Sequence, residues 1–238
     1  MLEPAYDSYE PAVTLAGGRV VRVPLRRPDF RVDWQRVSDA LSRRTRLLVV
    51  NSPHNPTGSV FAPEDLDALE SLLRDSAALV LSDEVYEHMV FDGRDHQSLL
   101  RRPGLAERSF IVSSFGKTCH CTGWKVGYCV APPSLSVEFR KVHQFVQFAV
   151  ATPLQAALAE FVTEHPRHAT GLAEFYARKR DHFGRLLSAT PLRFTPAAGT
   201  YFQLADYSVV SELSDVEFAR WMTREIGVAT IPVSVFSA

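Results

Sequence analysis

Three short, uninterrupted apolar runs most constrain the fold of this chain, and they fall at residues 45–50, 77–81 and 109–112. None of them alternates apolar with polar residues, so each is typical of a parallel strand buried on both faces of a sheet. A helix predicted at residues 63–74 separates the first two runs, and a long crossover separates the second from the third. The pattern predicts an α/β fold with a mostly parallel sheet flanked by helices.

The rest of the chain is predicted to add a fourth strand at residues 126–131 and then to become mainly helical. Further helices are predicted at residues 33–43 (with Asp33 as cap), 135–150, 153–163, 169–187 and 215–225, and short strands at 193–194, 201–204 and 228–231. A break near residues 164–170 divides the chain. It separates a large unit, residues 1–164, from a smaller α/β unit, residues 165–238.

Composition and charge argue against several classes of function. The 238 residues carry a net charge of −1, so nothing favours binding to nucleic acid or to an anionic membrane. No apolar run reaches membrane-spanning length. The three cysteines, Cys119, Cys121 and Cys129, are too few for a disulfide framework and indicate a reducing compartment, so we expect a cytoplasmic protein. The run Cys119-His120-Cys121 lacks zinc-like spacing, so no metal is expected.

Lys117 is the residue most suggestive of chemistry. The chain has only four lysines among its 26 basic residues, and Lys117 follows the third apolar run directly, in SSFGKT. Arginine stays protonated, whereas a desolvated lysine can lose its proton and form a Schiff base. A lysine at a strand-to-loop junction in an arginine-rich chain is therefore a candidate for covalent amine chemistry, although a surface position would also explain it.

Polar side chains follow all three apolar runs, at the strand ends where an open parallel sheet binds its ligands. They are Asn51, His54, Asn55 and Thr57, then Asp83, Glu84 and Tyr86, then Ser113, Ser114 and Lys117. If these side chains lie close together in the fold, they offer an amine, a carboxylate, a phenol, a carboxamide and a hydroxyl. That set suits an aromatic, phosphorylated ligand with a carbonyl group, and it predicts pyridoxal 5'-phosphate as the cofactor.

The same segments resemble a known family. HNPTG, SDEVYEH and SSFGKTCHCTGWKVGY, together with the opening EPAYDSYEP and the late GTYFQLAD, are similar to the class I/II pyridoxal-phosphate-dependent aminotransferases of fold type I. The similarity runs along essentially the whole chain and is strongest to the kynurenine and methionine aminotransferase branch. It implies the fold type I large domain, followed by an incomplete smaller C-terminal domain.

The resemblance implies roles for individual residues. Lys117 matches the lysine that binds the cofactor covalently and shuttles the proton, and Asp83 matches the carboxylate that pairs with the pyridine nitrogen. Tyr86 and Asn55 match the partners of the phenolic oxygen of the ring. The catalytic residues are thus expected to be Lys117, Asp83 and Tyr86.

The remaining cofactor contacts implied by the resemblance are Ser114, Lys125 and Tyr6. Ser114 matches a phosphate-binding serine three residues before the lysine. Lys125 stands where relatives of the aspartate type have a phosphate-binding arginine, and Tyr6 matches an aromatic residue that stacks on the cofactor ring. Relatives begin earlier and continue further, so the chain is expected to be truncated at both ends, without a phosphate loop and without an arginine for the substrate carboxylate.

Other interpretations stay open for several of these residues. Asp83 could cap a following helix, NPTG could be only a turn, and Tyr6 could be a packing residue. Lys125 is expected to be buried in a strand, where a phosphate or an acidic side chain would balance its charge. Outside the site, His165 and His168 are expected to be exposed loop residues, and Arg178, Arg180 and Arg185 a solvated helix face.

The resemblance implies an aminotransferase that moves an amino group from a neutral or aromatic amino acid, of the methionine, glutamine or kynurenine type, to a 2-oxo acid. The expected partners are these two substrates, and the parent protein is expected to be a homodimer. Two alternatives remain at this point. One is a carbon–sulfur beta-lyase that uses the same cofactor and lysine, and the other is a non-catalytic fragment that binds cofactor or mediates dimerisation.

Overall fold

A computed structural model describes residues 1–237 of the chain. The strands are β1 (Leu2–Glu3), β2 (Val23–Pro24), β3 (Leu47–Asn51), β4 (Leu79–Asp83), β5 (Ser109–Ser114) and β6 (Gly127–Val130). The helices are α1 (Tyr9–Leu15), α2 (Trp34–Ala40), α3 (Pro63–Leu73), α4 (Pro103–Ala106), α5 (Phe115–Thr118), α6 (Pro133–Val146), α7 (Thr152–Glu164), α8 (Arg167–Leu187) and α9 (Asp215–Trp221).

The central sheet has four strands in the order β3-β4-β5-β6. The first three are parallel, which confirms the α/β class and the predicted parallel arrangement. The fourth strand, β6, runs antiparallel to β5, because the residues between them form only the short α5 and one 3-10 turn and return along the same edge. The pairing aligns Asn51 with Asp83 and Asp83 with Val112, so the carboxyl ends of the three parallel strands lie side by side.

Helix α3 covers one face of this sheet. Leu66, Leu69 and Leu73 recur at helical spacing, and all three are fully buried against the strands. Burying a leucine side chain contributes about 1.5–3 kcal/mol, so this face anchors the helix. Asp33 caps α2 as predicted, since its carboxylate accepts a hydrogen bond from the Arg36 amide at 3.2 Å.

The C-terminal part departs most from expectation. The predicted strands at residues 193–194, 201–204 and 228–231 are not formed. Arg193 makes one isolated bridge to Asp206, and Gly199 makes one to Val90. A short apolar run becomes a strand only when a neighbouring strand offers a continuous row of hydrogen-bonding groups, and the described residues provide none there.

The last predicted helix is shorter than expected. It ends at Trp221 and continues as one π-helical turn, Met222–Ile226, which Gly227 closes at φ +78°. Phe218 is buried in this helix, whereas Trp221 is exposed.

Helix α8 packs onto the first part of the chain. Its Leu172 is buried against Tyr86, Met89 and Phe91, which follow β4. The division at residues 164–170 stays a prediction.

None of the helices within residues 1–237 combines the length and the apolar character needed to cross a membrane.

Candidate active site

Asp83 is the last residue of β4 and is largely buried. Its Oδ2 accepts a hydrogen bond from the Tyr9 hydroxyl at 2.6 Å, and its Oδ1 accepts one from the Val85 amide at 3.1 Å. Burial raises the pKa of the Asp83 carboxyl, although both hydrogen bonds oppose that shift. The residues that follow form a turn and not a helix, so the alternative that Asp83 caps a helix is wrong.

Tyr9 is a site residue that sequence reasoning missed. Burial, and then the neighbouring Asp83, raise the pKa of its phenol, so the hydroxyl stays protonated and acts as a donor. The ring of Tyr6 packs edge-on against the Tyr9 ring at 5.6 Å between centroids and is partly exposed. Two tyrosines three residues apart in EPAYDSYEP are the signal that could have revealed the pair.

Asn51 connects the end of β3 to this site. Its side-chain nitrogen donates to the Asp83 carbonyl at 2.8 Å, and its side-chain oxygen accepts from the Asn55 amide at 2.7 Å. The turn predicted for NPTG is formed, with Gly58 at φ +70° donating its amide to the His54 carbonyl. A Cβ at Gly58 would approach the Cβ of Ala197 to 2.7 Å, so the turn that presents Asn55 requires glycine.

Tyr86 and Lys117 meet at a third tyrosine, Tyr201. The Lys117 amine donates to the Tyr201 hydroxyl at 2.9 Å, and the Tyr201 ring packs edge-on against the Tyr86 ring at 5.4 Å between centroids. Burial, then Tyr201, and further Asp83 raise the pKa of the Tyr86 phenol. Lys117, Tyr86 and Asp83 therefore lie in one region, although more than thirty residues separate Lys117 from the other two.

Ser114 and Lys125 lie at the β5–β6 side of the site. The Ser114 hydroxyl accepts from the Gly116 amide at 3.0 Å, which fixes the start of the short helix that carries Lys117. Lys125 is exposed, so its predicted burial is wrong. Its backbone is left-handed, at φ 56°, and β6 begins only at Gly127. Within residues 1–237, no acidic side chain pairs with it.

Three other strand-end residues do not join this group. Glu84 is buried and accepts hydrogen bonds from Ser82, His96 and the Leu99 amide, so its carboxylate belongs to a separate internal network. Ser113 donates to Glu87. His54 is bonded to Thr57 at 2.8 Å, and burial lowers its pKa to about 4.

Two expectations for α8 are wrong. His168 is half-buried, and its Nε2 lies 2.7 Å from the Thr118 carbonyl oxygen, one residue beyond Lys117. Arg180 forms a bidentate pair with Asp92, at 2.7 and 2.8 Å, and also donates to the Ala197 carbonyl, so it is no part of a solvated face. The helix contacts the site loops, which propensity alone does not reveal.

Across residues 1–237, no three potential ligands converge as a metal site would require.

This parallel sheet, with an amine, an acid and a phenol gathered beyond its strand ends, matches a described family. The model for aminotransferase class I and II covers residues 1–238, and the chain belongs to that family. Methionine aminotransferase of Escherichia coli K12 is 52% identical over 236 residues, which are 99% of this chain and 61% of the relative. Kynurenine–oxoglutarate transaminase 1 of Mus musculus is 33% identical over 265 residues, which cover 99% of this chain and 62% of the mouse protein.

Comparison with solved structures supports the same family assignment. The structure of YbdL from Escherichia coli, for which a methionine aminotransferase function is described, superimposes with a TM-score of 0.97 at 52% identity, covering 100% of this chain and 62% of the other. N-succinyldiaminopimelate aminotransferase from Mycobacterium tuberculosis gives 0.95 at 35% identity, with the same coverage. The chain thus spans about three-fifths of the length of these relatives.

Proposed function

We propose that this chain is part of a pyridoxal-phosphate-dependent aminotransferase that moves an amino group from a neutral or aromatic amino acid to a 2-oxo acid. The observation that carries the proposal is the position of Lys117, which bonds to Tyr201 and so lies next to Tyr86, three residues after the largely buried Asp83. Membership of the class I and II aminotransferases supports it.

The residues present fit the cofactor. Asp83 is a buried carboxylate whose described partners are one phenol and one backbone amide, with no cation among residues 1–237. A buried carboxylate is stable only when its charge is balanced, and a protonated pyridine nitrogen would balance it. The Lys125 amine, which is exposed and has no acidic partner within residues 1–237, and the Ser114 hydroxyl suit a phosphate group.

Each residue then has a task. Lys117 would bind the cofactor through its amine and afterwards take and return the proton at the alpha carbon of the substrate. Tyr86 and Asn55 would hold the ring oxygen, and Tyr6 would cover the ring. Pyridoxal phosphate, when bound, supplies an electron sink that stabilises negative charge at that carbon.

The substrate class is inferred from the relatives. A relative at 52% identity is named for methionine and others are named for kynurenine, so we propose a methionine, glutamine or kynurenine type of amino donor.

The first test is a visible absorbance spectrum of the chain with added pyridoxal phosphate. We expect a band that is absent in Lys117→Ala and retained in Lys141→Ala, a control lysine that is exposed and paired with Glu138 on α6. A folded wild-type chain without the band would contradict the proposal and favour a non-catalytic fragment.

The second test is turnover with methionine, glutamine or kynurenine and a 2-oxo acid. Formation of the amino acid that corresponds to the added 2-oxo acid is the expected result. Release of pyruvate and free thiol from a cysteine conjugate, without amino transfer, would instead identify a carbon–sulfur beta-lyase.

We also propose that the full-length parent protein is a cytoplasmic homodimer, and that this chain comprises a large unit, residues 1–164, and a smaller one, residues 165–238. Three free cysteines are consistent with a reducing compartment. Phe145 and Phe148, at the end of α6, are 85% and 83% exposed, which suits a surface that a second subunit covers. Light scattering in solution measures the mass directly, and limited proteolysis near residue 165 tests the division.

A further inference from the structure

Tyr201 makes contacts that no assigned role accounts for. Its hydroxyl accepts the hydrogen bond from the Lys117 amine at 2.9 Å, and the same amine lies 5.6 Å from the centroid of its ring. The ring also packs against Tyr86. Tyr201 is 43% exposed, so burial of its ring does not by itself explain its position, and the contact between the hydroxyl and the amine is specific.

The loop that carries Tyr201 is fixed by its backbone. Gly199 donates to the Gly58 carbonyl at 2.9 Å, and Thr200 donates to the Met89 carbonyl at 2.9 Å. Thr200 is fully buried and lies at φ +65°. A β-branched residue in the left-handed region is strained, and such strain persists only where surrounding contacts impose it. The fold therefore holds Tyr201 in one place against a local conformational cost.

Helix α8 contacts the segment that follows Lys117. The hydroxyl of Tyr176 lies 3.1 Å from His120 Nε2, and His168 lies 2.7 Å from the Thr118 carbonyl. The rings of Tyr176 and Tyr201 are 5.8 Å apart. The segment that follows Lys117 and the Lys117 amine are thus held by different hydrogen bonds, and Tyr201 supplies the one to the amine.

We propose that Tyr201 is a positioning residue, whose hydroxyl holds the Lys117 amine beside Tyr86 so that the amine is aimed at the cofactor before the cofactor binds. The purpose of this contact rests on the function proposed above, whereas the hydrogen bond between Tyr201 and Lys117 is seen directly in the structure. Pre-orientation of a nucleophile shortens the search for a reactive geometry. Removing the hydroxyl should therefore free the amine and slow its capture of the cofactor.

Competitive labelling of the cofactor-free chain tests the hold on the amine. A limiting amount of acetic anhydride is added, and mass spectrometry gives the ratio of label on Lys117 to label on the exposed Lys141. We expect Tyr201→Phe to raise this ratio about threefold or more, the size of effect expected from losing one ordinary hydrogen bond. Tyr207→Phe is the matched control, because its hydroxyl donates to the Leu213 carbonyl and not to a lysine.

An unchanged ratio of Lys117 to Lys141 labelling in Tyr201→Phe overturns the proposal. If Tyr201 contributed only the packing of its ring, loss of the hydroxyl would not change the reactivity of the Lys117 amine. Tyr201→Leu, which removes the ring as well, should raise the ratio at least as far and serves if the first variant folds poorly.

Stopped-flow absorbance after addition of pyridoxal phosphate follows capture of the cofactor. The visible band should form about threefold or more slowly in Tyr201→Phe than in the wild type. Equal rates would overturn the positioning role. A raised labelling ratio in a chain whose wild type forms no band would leave the hold on the amine intact and reject the proposed function instead.

Discussion

At the scale of single residues, Tyr9 is the side chain that donates a hydrogen bond to the largely buried Asp83 carboxylate. Tyr9→Phe removes a 2.6 Å hydrogen bond to this carboxylate and leaves the ring in place. Because the acceptor is charged and largely buried, we expect a loss of about 1–2 kcal/mol in the free energy of unfolding, measured with urea. Tyr6→Phe is the control, since its hydroxyl has no hydrogen-bond partner within residues 1–237, and an equal loss in both variants would contradict this account.

His54 gives the molecule a pH dependence of known sign. Burial lowers its pKa from 6.5 in the unfolded chain to about 4 in the folded one. The unfolded state therefore binds more protons over that range, and the stability contributed by neutral His54 is complete above pH 6.5 and lost as pH falls toward 4. At 1.36 kcal/mol per pKa unit, the full effect is about 3 kcal/mol.

The measurement for His54 is urea unfolding at pH 7 and pH 5 in the wild type and in His54→Gln. We expect the wild type to lose more stability on acidification than the variant. The raised pKa of Asp83 acts in the opposite direction, since its folded carboxyl takes up a proton more readily than the unfolded one. Both proteins share that contribution, so the difference between them isolates His54, and parallel pH profiles would contradict the prediction.

At the scale of elements, α8 is attached to the site loops by Arg180. The guanidinium pairs with both oxygens of Asp92, donates to the Ala197 carbonyl and lies over the Phe91 ring at 5.0 Å. Hydrogen bonding to Arg180 lowers the pKa of the Asp92 carboxyl. Arg180→Ala should reduce the free energy of unfolding by about 1–2 kcal/mol, because the arginine is 11% exposed and bidentate but its partner is half-exposed.

Arg178→Ala is the matched control for Arg180, because Arg178 lies two residues away on the same helix and forms an exposed pair with Glu174. Such i,i+4 pairs contribute only about 0.3–0.5 kcal/mol. The two variants should therefore differ clearly in the urea midpoint. Equal midpoints would show that Arg180 is no more than a surface residue.

The elements that sequence predicted well are those whose pattern is local. Continuous apolar runs located β3, β4 and β5, and leucine periodicity located α3. Burial against a sheet requires apolar residues at fixed positions, so the pattern is visible in the sequence. The predicted strands at 201–204 and 228–231 failed because a strand needs a partner that its own residues do not specify. The aspartate, tyrosine and lysine positions of the site were accessible through strand ends and resemblance. Tyr201 was not, since its importance arises from a contact that spans 84 residues, and Tyr9, whose contact with Asp83 spans 74 residues, was marked only by its nearness to Tyr6.

At the scale of the whole molecule, the most exposed aromatic side chains are grouped at the end of α6. If a second subunit covers Phe145 and Phe148, replacing both with lysine should convert a dimer into a monomer, because buried charge without a partner opposes association. Light scattering gives the mass of each form. Phe183→Lys, on α8 and 48% exposed, is the control and should leave the mass unchanged. A dimer that persists in the double variant would place the interface elsewhere.

The hydrogen bonds from residues 198–200 to Gly58 and Met89 join three segments that are distant along the chain. An added or deleted residue in any one of them would shift the other two out of alignment, so these three loops should tolerate no change in length. Homologues that are longer or shorter overall are therefore expected to differ in their peripheral connections. The lengths of HNPTG, VYEHMVF and AAGTYF should stay constant, so these segments can guide the alignment of distant members of the family.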